Sequence, residues 1–276
     1  SGRNAAPGAG QRALSRWGIH DGFAAIPGAA HVHGQDGKDM MAANITLYEI
    51  AVSGGASASP FVWRTKFSLA RKGIPYRSKM LGLTDISRQF DGRFQTVPII
   101  DFGDRQMNES IAIADWLDEA FPDLPAIFSG PAERAMIGFF DQWLLQLIVT
   151  GVLPIYALDA HDGAAPHDRD YYRRSRESFF GQTLEEVVVK REERLPDVRR
   201  SFEPVRQTIV NQPFLGGTSP NFADMCLLGL FIFVGTIGTL PLLAADDPLV
   251  AYADRGFACF PSETASLRLK LGEPTR

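Results

Sequence analysis

The chain has 276 residues, 45% of them hydrophobic and 22% charged, and its 28 basic and 32 acidic side chains leave a formal net charge of -4. Those values exclude disorder as the overall state, allow one or two packed domains, and give no electrostatic reason to expect nucleic acid as a partner. The only cysteines, Cys226 and Cys259, are too few for a disulfide framework or a four-cysteine zinc site, which fits a reducing, cytoplasmic setting.

Residues 1–41 are rich in Ala and Gly and carry no sustained period. They read as a disordered extension outside the fold, and His20, His31 and His33 are too loosely spaced for a metal site. Patterned sequence begins at Asn44 to Val52, an alternating, β-rich strand. After a small-residue loop, Ser59 and Pro60 open a helix that Gly73 ends. Ile74 to Met80 is a second strand candidate, and a polar connector with a short helix near Thr84 to Phe90 follows. Thr96 to Asp101 is a third strand, Gly103-Asp104 a hairpin turn, and a fourth strand ends at Asn108. Ser110 to Ala120 has helical period. This order predicts one mixed sheet with helices over residues 44–122, and a cis bond between Val97 and Pro98, since Pro is not expected inside a central strand.

Phe121 to Pro125 reads as a linker, beyond which only long helices are expected over 131–260. Helices are predicted for Pro131 to Thr150, Asp168 to Val189 and Asp197 to Asn211. Asn221 with Asp224 makes a capping-box-like start, and Asp246-Asp247-Pro248 opens a last helix to about Phe260, leaving 261–276 as a tail. The apolar run Leu227 to Leu243 is interrupted by Gly229, Gly235, Gly238 and Pro241; it reads as a buried core helix and a turn, so no membrane partner is expected.

Four features of the first domain coincide: Ser59 precedes a helix, Val97-Pro98 sits at a strand start, Glu109-Ser110 opens the next helix, and Trp116-Leu117 continues that helix's apolar face. The start of the helix behind Ser59 concentrates unpaired N–H groups and positive potential, where a thiol ionises more easily. The Ser59 hydroxyl could donate to that thiolate, or Ser59 could be a helix cap and nothing more. Val97-Pro98, if cis, turns the Val97 main chain toward an extended peptide. Glu109 and Ser110 could hold an amino-acid end, the carboxylate taking an ammonium and the hydroxyl with the helix start taking a carboxylate. A small peptide with a central thiol and an amino acid at one end is glutathione. Trp143 and Tyr156 could line a second-substrate pocket or could be core residues on an apolar helix stripe. His161 and His167 lie in a polar loop, and no metal is expected.

SPFVWRTKFSLARKGIPY, TVPIIDFG and NESIAIADWLDEAFPD resemble the glutathione-binding domain of the glutathione S-transferase family, and PFLGGTSPNFADM resembles its helical domain; together they cover roughly residues 44 to 260. LDAHD, DRDYYRRSRESFFGQTLEEV, REERLP and DRGF resemble a narrower group, the bacterial β-aryl etherases of lignin breakdown and fungal etherase-like transferases. The resemblance implies a thioredoxin-like N-terminal domain, an all-helical C-terminal domain and a homodimer. It gives Ser59 the role of activating the glutathione thiol, and Val97, Pro98, Glu109 and Ser110 that of holding glutathione as cosubstrate. Gln95 is assigned to the glycine end. The activity implied is attack of the thiolate on an electrophilic, hydrophobic aromatic molecule, with β-aryl ether cleavage as its etherase form. A protein that binds glutathione or hydrophobic ligands without turnover is the alternative.

Overall fold

The computed structural model describes residues 45–272 except 51, 53, 54, 56 and 104. The extension expected for 1–41 lies outside the described residues.

The first domain runs β1 (Thr46–Ile50), α1 (Pro60–Lys72), β2 (Arg77–Leu81), α2 (Leu83–Gln89), β3 (Ile99–Asp101), β4 (Gln106–Asn108) and α3 (Ser110–Ala120). The strands form one sheet in the order β2-β1-β3-β4, with β1 parallel to β2 and the other pairs antiparallel. This is the thioredoxin-like arrangement expected. The second strand begins at Arg77, three residues later than the expected Ile74, because Ile74 is spent on the end of α1: its N–H bonds the Leu69 carbonyl, and Gly73, at φ 65°, makes the left-handed turn. β3 is likewise shorter than Thr96 to Asp101. Its ladder starts at Ile99, just after the Val97–Pro98 bond, which is cis.

Register fixes which ends meet. Tyr48 of β1 lies opposite Ile99, and Ile99 lies opposite Asn108. The exit of β1, the entry to β3 and the exit of β4 therefore share one edge of the sheet, where the chain goes on to Ser59, comes in from Val97 and goes on to Glu109.

The second domain is helical. Its elements are α4 (Pro131–Leu147), a wide π turn (Ile148–Val152), α5 (Leu153–Gly163), a 3₁₀ turn (Pro166–Asp168), α6 (Arg169–Phe180), α7 (Leu184–Val188), α8 (Arg191–Ser201), α9 (Glu203–Ile209), α10 (Phe222–Ile237), α11 (Pro248–Ala258) and α12 (Pro261–Thr264). Beyond residue 131 the described residues pair in sheet fashion only at the isolated bridges Val52–Ala164 and Phe214–Gly217.

Three helices expected from periodicity have different bounds. The one predicted for 131–150 continues to Gly163, because the wide turn accommodates Pro154, whose ring and missing N–H would break a regular α-helix at that point. The one predicted for 168–189 divides in two. Gly181 takes a left-handed φ of 69° and ends α6, and Thr183 with Glu186 forms a capping box that starts α7. The one predicted for 197–211 starts earlier, at Arg191, and divides at Phe202, with Pro204 in the first turn of α9.

α10 is the axis of the molecule. Every residue from Phe222 to Val234 is buried, as its apolar run implied, and its most extensive packing is against α1. A Cβ at Gly229 would stand 2.5 Å from the Pro60 carbonyl oxygen, so only glycine lets α10 lie this close to the start of α1. Each large apolar side chain buried here contributes about 1.5–3 kcal/mol relative to exposure. The stretch Pro131–Gly163 also has the length and hydropathy of a membrane span, but 61% of its apolar window is already covered by the protein. Beyond α12 the chain folds back: Leu271 is buried and its carbonyl accepts the Leu243 N–H.

Candidate functional site

Ser59 is the N-cap of α1, with extended backbone, and its Oγ accepts the Val62 N–H at 3.3 Å. Among the described residues its hydroxyl proton has no acceptor. The first turn of α1 carries no acidic side chain, while Arg71 and Lys72 occupy the last turn. The positive end of the helix is thus uncompensated at Ser59, and the negative end is not. The approach to Ser59 is held by Trp63, whose indole N–H donates to the Ser57 carbonyl at 2.7 Å.

Val97 is buried at the same sheet edge, and its main chain takes no part in the ladder that begins at Ile99. Glu109 follows β4 with φ 70° and ψ 111°, a left-handed conformation that costs a non-glycine residue about 1–3 kcal/mol and persists only where surrounding contacts hold it. Ser110, buried, begins α3, and the Glu109 carbonyl accepts the Ile113 N–H at 2.9 Å.

Two residues not picked out from the sequence join this edge. Arg64 of α1 is 1% exposed and its Nη1 binds Asp141 Oδ1 of α4 at 2.5 Å. The guanidinium carbon lies 4.6 Å from the centre of the Phe61 ring, and its Nε and Nη2 have no partner among the described residues. Glu109 belongs to the same electrostatic cluster. Burial first, then the Asp141 charge, push its carboxyl up to about 7, against the opposing pull of Arg64. The signal for Arg64 was present in the sequence: a guanidinium among the apolar residues of SPFVWRTKFSLA needs a buried counter-charge. Which carboxylate supplies it was not readable, because Asp141 lies 77 residues away.

The other sequence-selected residues are placed as follows. Gln95 is exposed at the end of the α2 connector and donates to Gly92 O at 3.2 Å and Ser87 Oγ at 3.4 Å. Trp143 is half-buried on α4 against Phe140. Tyr156 is fully buried, its hydroxyl donating to the Leu240 carbonyl at 2.8 Å. A cleft beside the bridge between Val52 and Ala164 is lined by Val52, Asp159, Asp162, Gly163, Ile237 and Thr239 among others, and by neither Trp143 nor Tyr156. Cys226 is completely buried, and burial pushes its thiol well above the usual range. His167 faces Asp85 and Asp168 rather than solvent alone. Among the described residues no three His, Cys, Asp or Glu side chains converge as a metal site.

The arrangement offers a thiol a hydroxyl donor and a positive helix end, with a carboxylate–hydroxyl pair further along the same sheet edge. The glutathione S-transferase N-terminal domain profile matches residues 55–126, and the C-terminal domain profile of the same family matches 135–239. A probable glutathione S-transferase of Glycine max is 29% identical over 101 residues, 36% of this chain and 45% of its own length, so the alignment spans less than half of that relative. The glutathione S-transferase-like protein ustS of Aspergillus flavus is 27% identical over 206 residues, 62% of this chain and 72% of that one. The crystal structure of a glutathione S-transferase of Ceriporiopsis subvermispora in complex with glutathione superposes with a TM-score of 0.68 at 23% identity, covering 80% of this chain and 97% of that chain. With both of its domains accounted for, the chain belongs to the glutathione S-transferase family.

Proposed function

We propose that this protein is a glutathione transferase in which Ser59 stabilises the glutathione thiolate. The observation that carries the reading is the shared sheet edge. It brings together a helix start whose capping hydroxyl still has a proton to donate, the main chain of Val97 beside cis Pro98, and the strained Glu109 with Ser110. Glu109 takes the ammonium of the γ-glutamyl group, and Ser110 with the start of α3 takes its carboxylate. Val97 pairs with the peptide main chain, and Gln95 reaches its glycine end.

The thiolate attacks an electrophilic carbon of a hydrophobic, aromatic molecule. In the β-aryl ether form, the C–S bond forms as the C–O bond breaks, and the phenolate leaves with the bonding electron pair. Trp143, half-buried, can offer its ring to such a substrate; Tyr156, fully buried, can only support the wall behind it. A second copy of the chain covers the apolar face of α4 on which Met136 and Phe139 are 66% and 70% exposed. Thiol–disulfide exchange is disfavoured because serine stands where that chemistry needs cysteine, and Cys226 is sealed in the core.

The test is turnover of glutathione with a general aromatic electrophile and with an α-keto β-aryl ether, following conjugate and phenol separately. Conjugate with both substrates supports the full reading. Conjugate with the general electrophile alone removes the etherase form. Glutathione binding without any conjugate favours the non-catalytic binding protein.

A further inference from the structure

The first helix supplies its own cap; α2 does not. Its N-cap position is Gly82, which has no side chain to offer the orphan N–H groups of the first turn. Those groups are taken by a carboxylate from the other domain. Asp168, at the end of the 3₁₀ turn between α5 and α6, accepts the Leu83 N–H at 2.7 Å on Oδ2, and on Oδ1 the Thr84 N–H at 3.0 Å and the Thr84 hydroxyl at 2.8 Å. Asp168 is 1% exposed, and its partners are 84 and 85 residues away in sequence. A Cβ at Gly82 would stand 2.5 Å from His167 Nε2 and 2.7 Å from Asp168 Oδ2, so glycine at this position is what admits the visiting carboxylate.

The segment that carries Asp168 grips the first domain twice. Ala164 bridges Val52, at the head of the loop that leads to Ser59. Asp168 holds α2, whose Ser87 in turn receives the Gln95 side chain. Arg169 braces the segment from within, its guanidinium donating to the carbonyls of Asp162 and Ala164. The two anchored pieces are the two flanks of the proposed glutathione cleft.

We infer that Asp168 is a positioning residue, an N-cap supplied in trans by the helical domain that seats α2, and with it Gln95, against the glycine end of glutathione. This rests on the reading of the cleft as a glutathione site. Asp168 touches no reacting atom, so its loss raises the amount of glutathione needed and leaves the thiolate chemistry, anchored on α1, nearly intact.

The test uses the full chain in three forms: wild type, Asp168→Ala, and Asp168→Ala with Gly82→Ser, which gives α2 a cap of its own but no tie to the helical domain, the exposed His167 ring turning aside to admit the new Cβ. Glutathione affinity is measured by calorimetry, kcat and KM with a general electrophile, and amide hydrogen exchange at Leu83 and Thr84. In Asp168→Ala, the expected result is faster exchange at those two amides, glutathione Kd and KM raised a few-fold, as for loss of the Gln95 contact it positions, and kcat at saturating glutathione little changed. In the double variant, protection at Leu83 and Thr84 returns while Kd stays raised. Unchanged Kd in Asp168→Ala overturns the positioning role, and so does a double variant whose Kd returns to the wild-type value, since a cap of any origin would then suffice. Wild type that binds no glutathione sinks the underlying reading itself. Asp168→Asn, which keeps the side-chain volume, repeats the measurement should the alanine variant fail to fold.

Discussion

Two helix starts in this molecule look alike in sequence and differ in what they leave available. At α10, Asn221 accepts the Ala223 and Asp224 N–H groups. Asp224, completely buried, accepts the N–H groups of Leu215, Gly216 and Asn221 and the hydroxyl of Tyr252. Both oxygens are fully used, and burial still pushes the carboxyl up despite those bonds. At α1, Ser59 accepts one N–H, at 3.3 Å, and keeps its proton unassigned. A saturated cap is a structural part, whereas a cap with spare hydrogen-bonding capacity can still receive a ligand.

The comparison can be broken most forcefully at α10. Asp224→Ala strands three N–H groups and a tyrosine hydroxyl in the core and is expected to cost about 3–5 kcal/mol, read by denaturant unfolding. The affinity of the remaining folded protein for glutathione stays as in wild type; a large change in that affinity would remove the division between structural and functional caps.

Glu109→Ala comes next, weakening glutathione binding about ten- to a hundredfold, as for a lost charge-assisted bond of about 1.5–3 kcal/mol. The same residue gives the binding a pH dependence. Its carboxyl, pushed up to about 7, holds its proton below that pH, and only the ionised form attracts an ammonium group. Affinity for S-methylglutathione, which has no thiol to titrate, therefore falls as pH drops through about 7. In Glu109→Gln it is weak and flat, and a wild-type profile equally flat would place the ammonium elsewhere.

Ser59→Ala has a smaller effect on stability, about 1 kcal/mol for a lost N-cap, and a separate effect on chemistry. The pKa of bound glutathione, followed by thiolate absorbance against pH, rises and turnover slows, while binding changes little. Superimposable titrations of wild type and variant would reduce Ser59 to the same structural role as Asn221. Gln95→Ala is the mildest: its bonds to Gly92 and Ser87 are exposed, so stability moves by no more than about 0.5 kcal/mol and only glutathione KM shifts, by a few-fold.

What could be read ahead was whatever is written locally. Caps such as Ser59 with Pro60, Asn221 with Asp224 and Asp247 with Pro248 marked helix starts correctly, because the residues that satisfy those orphan N–H groups lie within three positions of them. The Thr183–Glu186 box is equally local but lies inside a charged run, where it does not stand out from its neighbours. Arg64 with Asp141, and Gly82 with Asp168, were beyond such reading, since each half is an unremarkable residue until the fold brings the other to it. The strain at Glu109 is a property of the backbone alone and leaves no mark in residue type.

The wide turn at Ile148–Val152 acts as a phase shifter in the longest helical rod of the molecule. Asp141 and Asp159 are eighteen residues apart, five whole turns of a regular α-helix, and on an unbroken rod they would share one azimuth. The extra residue taken up by the turn rotates everything after it by about 100°. Asp141 is left on Arg64 of the first domain, and Asp159 is dialled onto Arg191 and Thr239 of the second. A single-residue deletion within that turn is therefore a rotation of half the rod, which no side-chain substitution could mimic or repair.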